Sequence, residues 1–127
     1  MSIPVELTSL AGALARYRFA YLMTGSAEGA PHAVAVQAAL QGGELVVDGV
    51  GRRTHANALE RPAVALVWPP ADEGGYSLIV DGRARAAGGQ LRIQPLRAVL
   101  HRPAPPRAPA GEGCGSDCVE LRIPSAE

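Results

Sequence analysis

The sequence predicts a mainly β domain that closes, wholly or in part, into a barrel. Three observations predict it. About seven short segments carry apolar residues at every second position, which is the strand period. The chain has 15 glycines and 11 prolines, and many fall between those segments as turn signals. Only one or two stretches show helical spacing, and both are short. Such a pattern suits a β-barrel, with a β-sandwich as the alternative architecture. At 127 residues the chain has the length of one domain.

The elements follow in order. Val5 to Ala15 has Leu7, Leu10, Ala11 and Leu14 at helical spacing, with Thr8 or Ser9 as a cap. Tyr17 to Thr24 reads as a strand with Phe19, Tyr21 and Met23 on one face. Gly25 to Pro31 is a turn. His32 to Leu40 is a second strand, with Val34, Val36, Ala38 and Leu40 inward, and Gln41-Gly42-Gly43 turns it into a third, Glu44 to Asp48. Gly49 to Glu60 breaks the β pattern, and Thr54 to Glu60 suits a short helix. Val64 to Trp68 is a fourth strand, closed by Pro69-Pro70. In Tyr76 to Ala87, Leu78, Val80, Gly82, Ala84 and Ala86 share one face. Leu91 to His101 shifts its apolar register across Pro95, which predicts a bulge or an edge. Arg102 to Gly113 reads as a proline-rich arm or loop, and Cys118 to Ile123 as a last strand.

Composition excludes several classes. The 12 acidic residues balance the 12 basic ones, all of them Arg. A neutral chain with 4% aromatic residues is poorly suited to holding nucleic acid by phosphate attraction or base stacking. No apolar run reaches the ~18 residues that span a bilayer. No basic region precedes an apolar one at the N-terminus, so the expected location is the cytoplasm. Cys114 and Cys118 lack a second ligand pair near in sequence, which favours two unpaired thiols over a metal site.

The segment richest in chemistry is Gly49-Val50-Gly51-Arg52-Arg53-Thr54-His55-Ala56-Asn57. Glycines let backbone amides approach an anion, and a helix start aims N–H groups at it. Arg offers forked donors that match phosphate oxygens. A solvated arginine turn capped by Thr54 accounts for the spacing equally well. Two arginines and a helix end supply about 4–7 kcal/mol before entropy costs. Micromolar binding needs about 8 kcal/mol, so a phosphorylated ligand also needs a buried apolar part. His32 and Gln37 sit at the two ends of one strand on opposite faces, a turn histidine and a polar interruption when taken alone. Trp68 and Tyr76 flank a loop and suit either a planar ligand or the core.

Taken in order, these segments resemble the pyridoxamine 5′-phosphate oxidase-like flavin-binding split barrels. The resemblance runs from about Phe19 to His101. It rests on Leu22-Met23-Thr24, the turn Glu28-Gly29-Ala30-Pro31-His32, Val46-Val47-Asp48-Gly49, the Arg-Arg-Thr-x-x-Asn helix, Arg61-Pro62-Ala63-Val64 and the Ser77-to-Gly82 strand. Small actinobacterial-type members, with their Trp-Pro-Pro and Tyr76-to-Gly82 patterns, are especially similar.

The resemblance implies a six-stranded Greek-key split barrel with one or two short helices, assembled as a homodimer. It implies FMN, or alternatively a deazaflavin, in a cleft between subunits. Arg52 and Arg53 match the basic pair that holds the cofactor phosphate, and Thr54 and Asn57 lie on the same helical turn. His32 stands where the family's oxidases have Arg, Gln37 where they have Lys, and Ser77 where they have Gln; Val36 would offer its backbone to the ring. The Arg and His that bind pyridoxal phosphate have no counterpart, since Arg122 and His101 lack that setting. The implied activity is therefore a flavin- or deazaflavin-dependent oxidoreductase acting on some other small molecule. The altered positions leave a binding protein without turnover, or a cofactor-free interaction module, as the alternative.

Overall fold

The computed structural model describes residues 1–104. Eight strands lie within them: β1 Ser2–Val5, β2 Ala20–Gly25, β3 Pro31–Val36, β4 Ala38–Gln41, β5 Glu44–Val47, β6 Ala63–Trp68, β7 Ser77–Ala87 and β8 Gln90–His101. Two helices, α1 Leu10–Leu14 and α2 Arg52–Glu60, complete the set with a 3₁₀ turn at Leu7–Ser9. The strands form one sheet in the order β3-β2-β6-β7-β8-β5-β4. The far half of β8 also pairs with β1.

The two ends of that order are consecutive in sequence. Only Gln37 separates β3, which pairs with β2, from β4, which pairs with β5. One broken strand therefore reaches both margins of the sheet, which curls antiparallel into a half-open barrel. The expected count of six strands is recovered when β3 and β4 are taken as one and β1 is set apart as an addition.

Strand alternation fills the interior. Leu22, Leu45, Leu66, Leu78, Val80, Leu91 and Ile93 are fully buried in one cluster, and Trp68 joins them. Burying a Leu, Ile or Val side chain contributes about 1.5–3 kcal/mol, so this cluster dominates the fold's stabilisation. Helix α2 closes one side, facing Thr54, Asn57 and Ala58 inward at i, i+3 and i+4.

The expected bulge is present. Pairing steps from Asp81↔Arg97 to Gly82↔Pro95, so Leu96 is the unpaired extra residue. The expected N-terminal helix is shorter than Val5 to Ala15. Val5 lies in β1, held by Ala98 on β8, and only Leu7 to Leu14 turns helically. Ala86 is exposed rather than inward, because β7 outruns the core near its end. The proline-rich arm beyond Ala104, Cys114, Cys118 and the strand expected at Cys118 to Ile123 lie outside the described residues.

Candidate functional site

Helix α2 is built to present its first turn. Gly51 caps it with extended backbone and has no side chain to satisfy the first amides. The first helical hydrogen bond runs from the His55 amide to the Gly51 carbonyl, 3.0 Å. The amides of Arg52, Arg53 and Thr54 thus have no acceptor inside the helix. Arg52 and Arg53 are both exposed, and neither guanidinium makes a hydrogen bond or ion pair among the described residues. Two unpaired guanidiniums beside three free amides form a donor set that fits a phosphate group.

The inner face of α2 anchors that turn. Thr54 is 1% exposed and Asn57 5%. Asn57 Nδ2 donates to Thr24 Oγ1 of β2 at 3.1 Å, a buried bond that fixes the helix against the sheet. Past the helix end, Arg61 Nε donates to the Gly25 carbonyl at 2.8 Å, and its Nη2 meets Glu60 Oε1 at 3.2 Å.

Between α2 and the β2–β3 turn lies a cleft of about 380 Å³. His32, Arg53 and Asn57 line it, together with Glu28, Glu60 and Arg61. The turn is tied by its own bonds. The Ala30 amide donates to Ser26 Oγ and the Ser26 amide to the Ala30 carbonyl, both at 3.0 Å. Gly29 takes φ of 88°, a conformation that favours glycine.

The structure thus gathers three of the expected site residues, His32, Arg53 and Asn57, around one cleft. Arg52 stands at the same helix start. Thr54 points into the core, so what it offers a surface ligand is its amide rather than its hydroxyl. Val36, Gln37 and Ser77 lie at the other end of the sheet. Register sets His32 beside Thr24 but Val36 beside Ala20, four residues or about 13 Å further along. Ser77 begins β7 opposite His101 at that same far end. Val36 is half-buried against the core, while Gln37 is exposed at the strand break.

Trp68 is a core residue. Tyr76 instead lines a second cleft of about 210 Å³ with Arg16, Tyr17 and Pro70. The Arg102 guanidinium lies 4.5 Å from the Tyr76 ring centre. Sequence reasoning did not single out Glu60 and Arg61 as site residues. The Arg61-Pro62 step that ends the helix is the signal that locates them beside the cleft.

A split β-barrel whose second helix starts on two exposed arginines, with no side-chain cap, is the class that this fold and site define. Proteins of uncharacterised function from Mycobacterium bovis and Mycobacterium tuberculosis are 43% identical to this chain, covering 94% of it and 96% of their own length. The chain belongs to their family, and its fold is the one it shares with pyridoxamine 5′-phosphate oxidase-like structures. Among solved structures, an FAD-binding protein from Mycobacterium smegmatis matches 78% of this chain and 97% of its own at TM-score 0.64 and 15% identity. An F420 reductase matches 68% of this chain and 93% of its own at TM-score 0.60 and 18% identity. A pyridoxamine 5′-phosphate oxidase-type protein from Listeria innocua matches 74% and 96% at TM-score 0.61 and 13% identity. These likenesses fix the fold. No protein-family model matches the chain.

Proposed function

We propose that this protein binds a phosphate-bearing flavin-type cofactor and acts as an oxidoreductase on a small molecule. FMN is the first choice and a deazaflavin the second. One observation carries the reading: two guanidiniums without a partner among the described residues stand at a start of α2 that no side chain caps. Arg52, Arg53 and the first-turn amides hold the phosphate. His32 and Asn57 border the same cleft. Val36, Gln37 and Ser77, at the far end of the sheet, are the positions left for the ring system. When bound, such a cofactor accepts and donates hydride at its ring, and the protein needs no acid or base of its own. The chain's part is to grip the phosphate, orient the ring and exclude water. An FAD-binding protein and an F420 reductase among the structural neighbours support a flavin-type ligand.

The reading includes a homodimer. Tyr21 and Met23 on the outer face of β2 are 41% and 39% exposed. Their cross-strand neighbours are Ala35 and Val67, and Ala33 and Ala65. A second copy on this apolar face would shield it, and it lies on the strands that carry the ring-end positions.

The test is a fluorescence titration of the purified protein with FMN and with a deazaflavin. Wild type binds one of them saturably. Replacing both arginines, Arg52→Ala with Arg53→Ala, weakens that binding at least tenfold, since each charge-assisted bond contributes about 1.5–3 kcal/mol. Unchanged affinity in the double variant overturns the phosphate assignment. Neutral Gln37 and Ser77 favour a second reading, a binding protein without turnover. A bound cofactor that no donor reduces supports it, and failure to bind either cofactor points to an interaction module.

A further inference from the structure

The geometry points to His32 as a proton-dependent gate on anion binding in the cleft beside α2. The inference rests on the phosphate reading of that cleft and adds its regulation.

His32 and Arg53 line the same cleft from opposite elements, β3 and α2. The ring of His32 is half-buried and makes no hydrogen bond or ion pair among the described residues. Of the cationic candidates that line the cleft, it is the one whose charge depends on pH near neutrality, since histidine alone among ordinary side chains switches there. The groups that face it are few. Thr24 is its register partner on β2, and Thr24 Oγ1 already accepts from Asn57. Glu28 lines the same cleft from the turn, and Arg53, Glu60 and Arg61 line it from α2 and its end. Glu60 and Arg61 pair with each other, and Arg61 is also held by the Gly25 carbonyl. Arg53 therefore supplies a fixed, uncommitted charge and His32 a conditional one.

A phosphate dianion between them is held by two cations below the histidine's transition and by one above it. Linkage makes the effect reciprocal: a bound dianion favours protonated His32, so binding at neutral pH takes up protons. The phosphate monoester itself loses its second proton near pH 6. That change makes the ligand more negative as pH rises and strengthens binding, so weakening above pH 6.5 comes from the protein.

The experiment measures FMN affinity of the full chain at pH 6.5 and 8.5, with calorimetry in buffers of different ionisation enthalpy. Wild type loses about tenfold in affinity across that range, as expected for one charge-assisted bond, and shows proton uptake. His32→Arg keeps the charge, stays tight and loses the pH dependence. His32→Gln is equally flat and weak at both values. Riboflavin, which lacks the phosphate, shows no pH dependence in any of the three.

Wild-type affinity that is flat with pH, or a slope that survives in His32→Arg, overturns the inference while leaving the flavin reading intact. If neither FMN nor a deazaflavin binds, the flavin reading fails separately. The gate is then read with inorganic phosphate, through the NMR signal of the His32 ring. A phosphate-induced shift at pH 6.5 that fades by 8.5 supports it, and a signal indifferent to phosphate at both values refutes it.

Discussion

Gly82 carries the sharpest steric demand among the described glycines. A Cβ there would lie 2.6 Å from Ile93 Cγ2 and 2.7 Å from the Gln94 carbonyl oxygen. Both belong to β8, next to the bulge where Leu96 leaves the ladder. Backbone cannot retreat at that point without undoing the register. Gly82→Ala is therefore expected to lower stability by about 1–3 kcal/mol, the usual cost of overpacking. Gly12 supplies the contrast: it sits in α1, and a Cβ there would meet nothing within 4 Å. Gly12→Ala should be neutral or slightly stabilising, because alanine is the better helix former. Urea unfolding midpoints of the two variants check both expectations, and equal midpoints would show that β8 yields at the bulge. Sequence alone marked Pro95 as a register break, because the apolar positions change parity there. It did not mark Gly82, whose constraint comes from a partner strand.

At the level of elements, α2 was the most legible piece. Its glycines and paired arginines are local signals, but the helix begins at Arg52 with Gly51 as its cap rather than at Thr54. The inward turn of Thr54, Asn57 and Ala58 follows from packing against the sheet. Two other features were hidden for a common reason. The break at Gln37 falls inside an unbroken in-out alternation from His32 to Leu40, and only the change of partner from β2 to β5 reveals it. Strand β1 pairs with residues almost a hundred positions away, so its four residues carry no local mark of a strand. The split of the expected site between two ends of the sheet has the same origin. Spacing along one strand shows that His32 and Gln37 are apart, but only the packing of α2 against β2 shows that Arg53 joins the first.

The β5–β8 junction adds a prediction at this scale. Glu44 Oε1 accepts from Arg92 Nε at 2.8 Å and from Arg85 Nη2 at 3.0 Å, tying three strands. The Arg92 guanidinium, and then that of Arg85, hold the Glu44 carboxyl below the ordinary carboxylate range. A depressed folded-state pKa means stabilisation that is present above the unfolded value and is lost as pH falls through the folded one. The stability difference between wild type and Glu44→Gln should therefore be largest near neutrality and shrink on acidification. A difference that grows with acid would mean that the carboxylate destabilises the fold.

For the whole molecule, the outer face of the sheet is where fold and function meet. Antiparallel sheets commonly turn a polar face to water. Here the row Ala35–Tyr21–Val67–Ile79 crosses four strands without a charge. The small alanines of β3 leave Tyr21 and Met23 standing proud, and Phe19 packs edge-on to Tyr21 with ring centres 5.2 Å apart. Adding a second copy on this face would cover the large side chains and bring its surface against the strands that bear Val36 and Ser77. Within one protomer those positions are separated from Arg53 by the length of the sheet. A dimer would therefore bear on two things at once, the burial of Tyr21 and Met23 and the completion of the proposed ring end of the site. Tyr21→Asp with Met23→Asp should convert a dimer into a monomer by sedimentation at micromolar concentration, because each new carboxylate would have to be desolvated in the interface. The same variant should weaken FMN binding while leaving the inorganic-phosphate response at Arg53 and His32 in place. A wild-type monomer would remove the dimer from the reading. A variant that stays dimeric would move the interface to another face, and one that loses phosphate binding as well would show that the two ends of the sheet do not act separately.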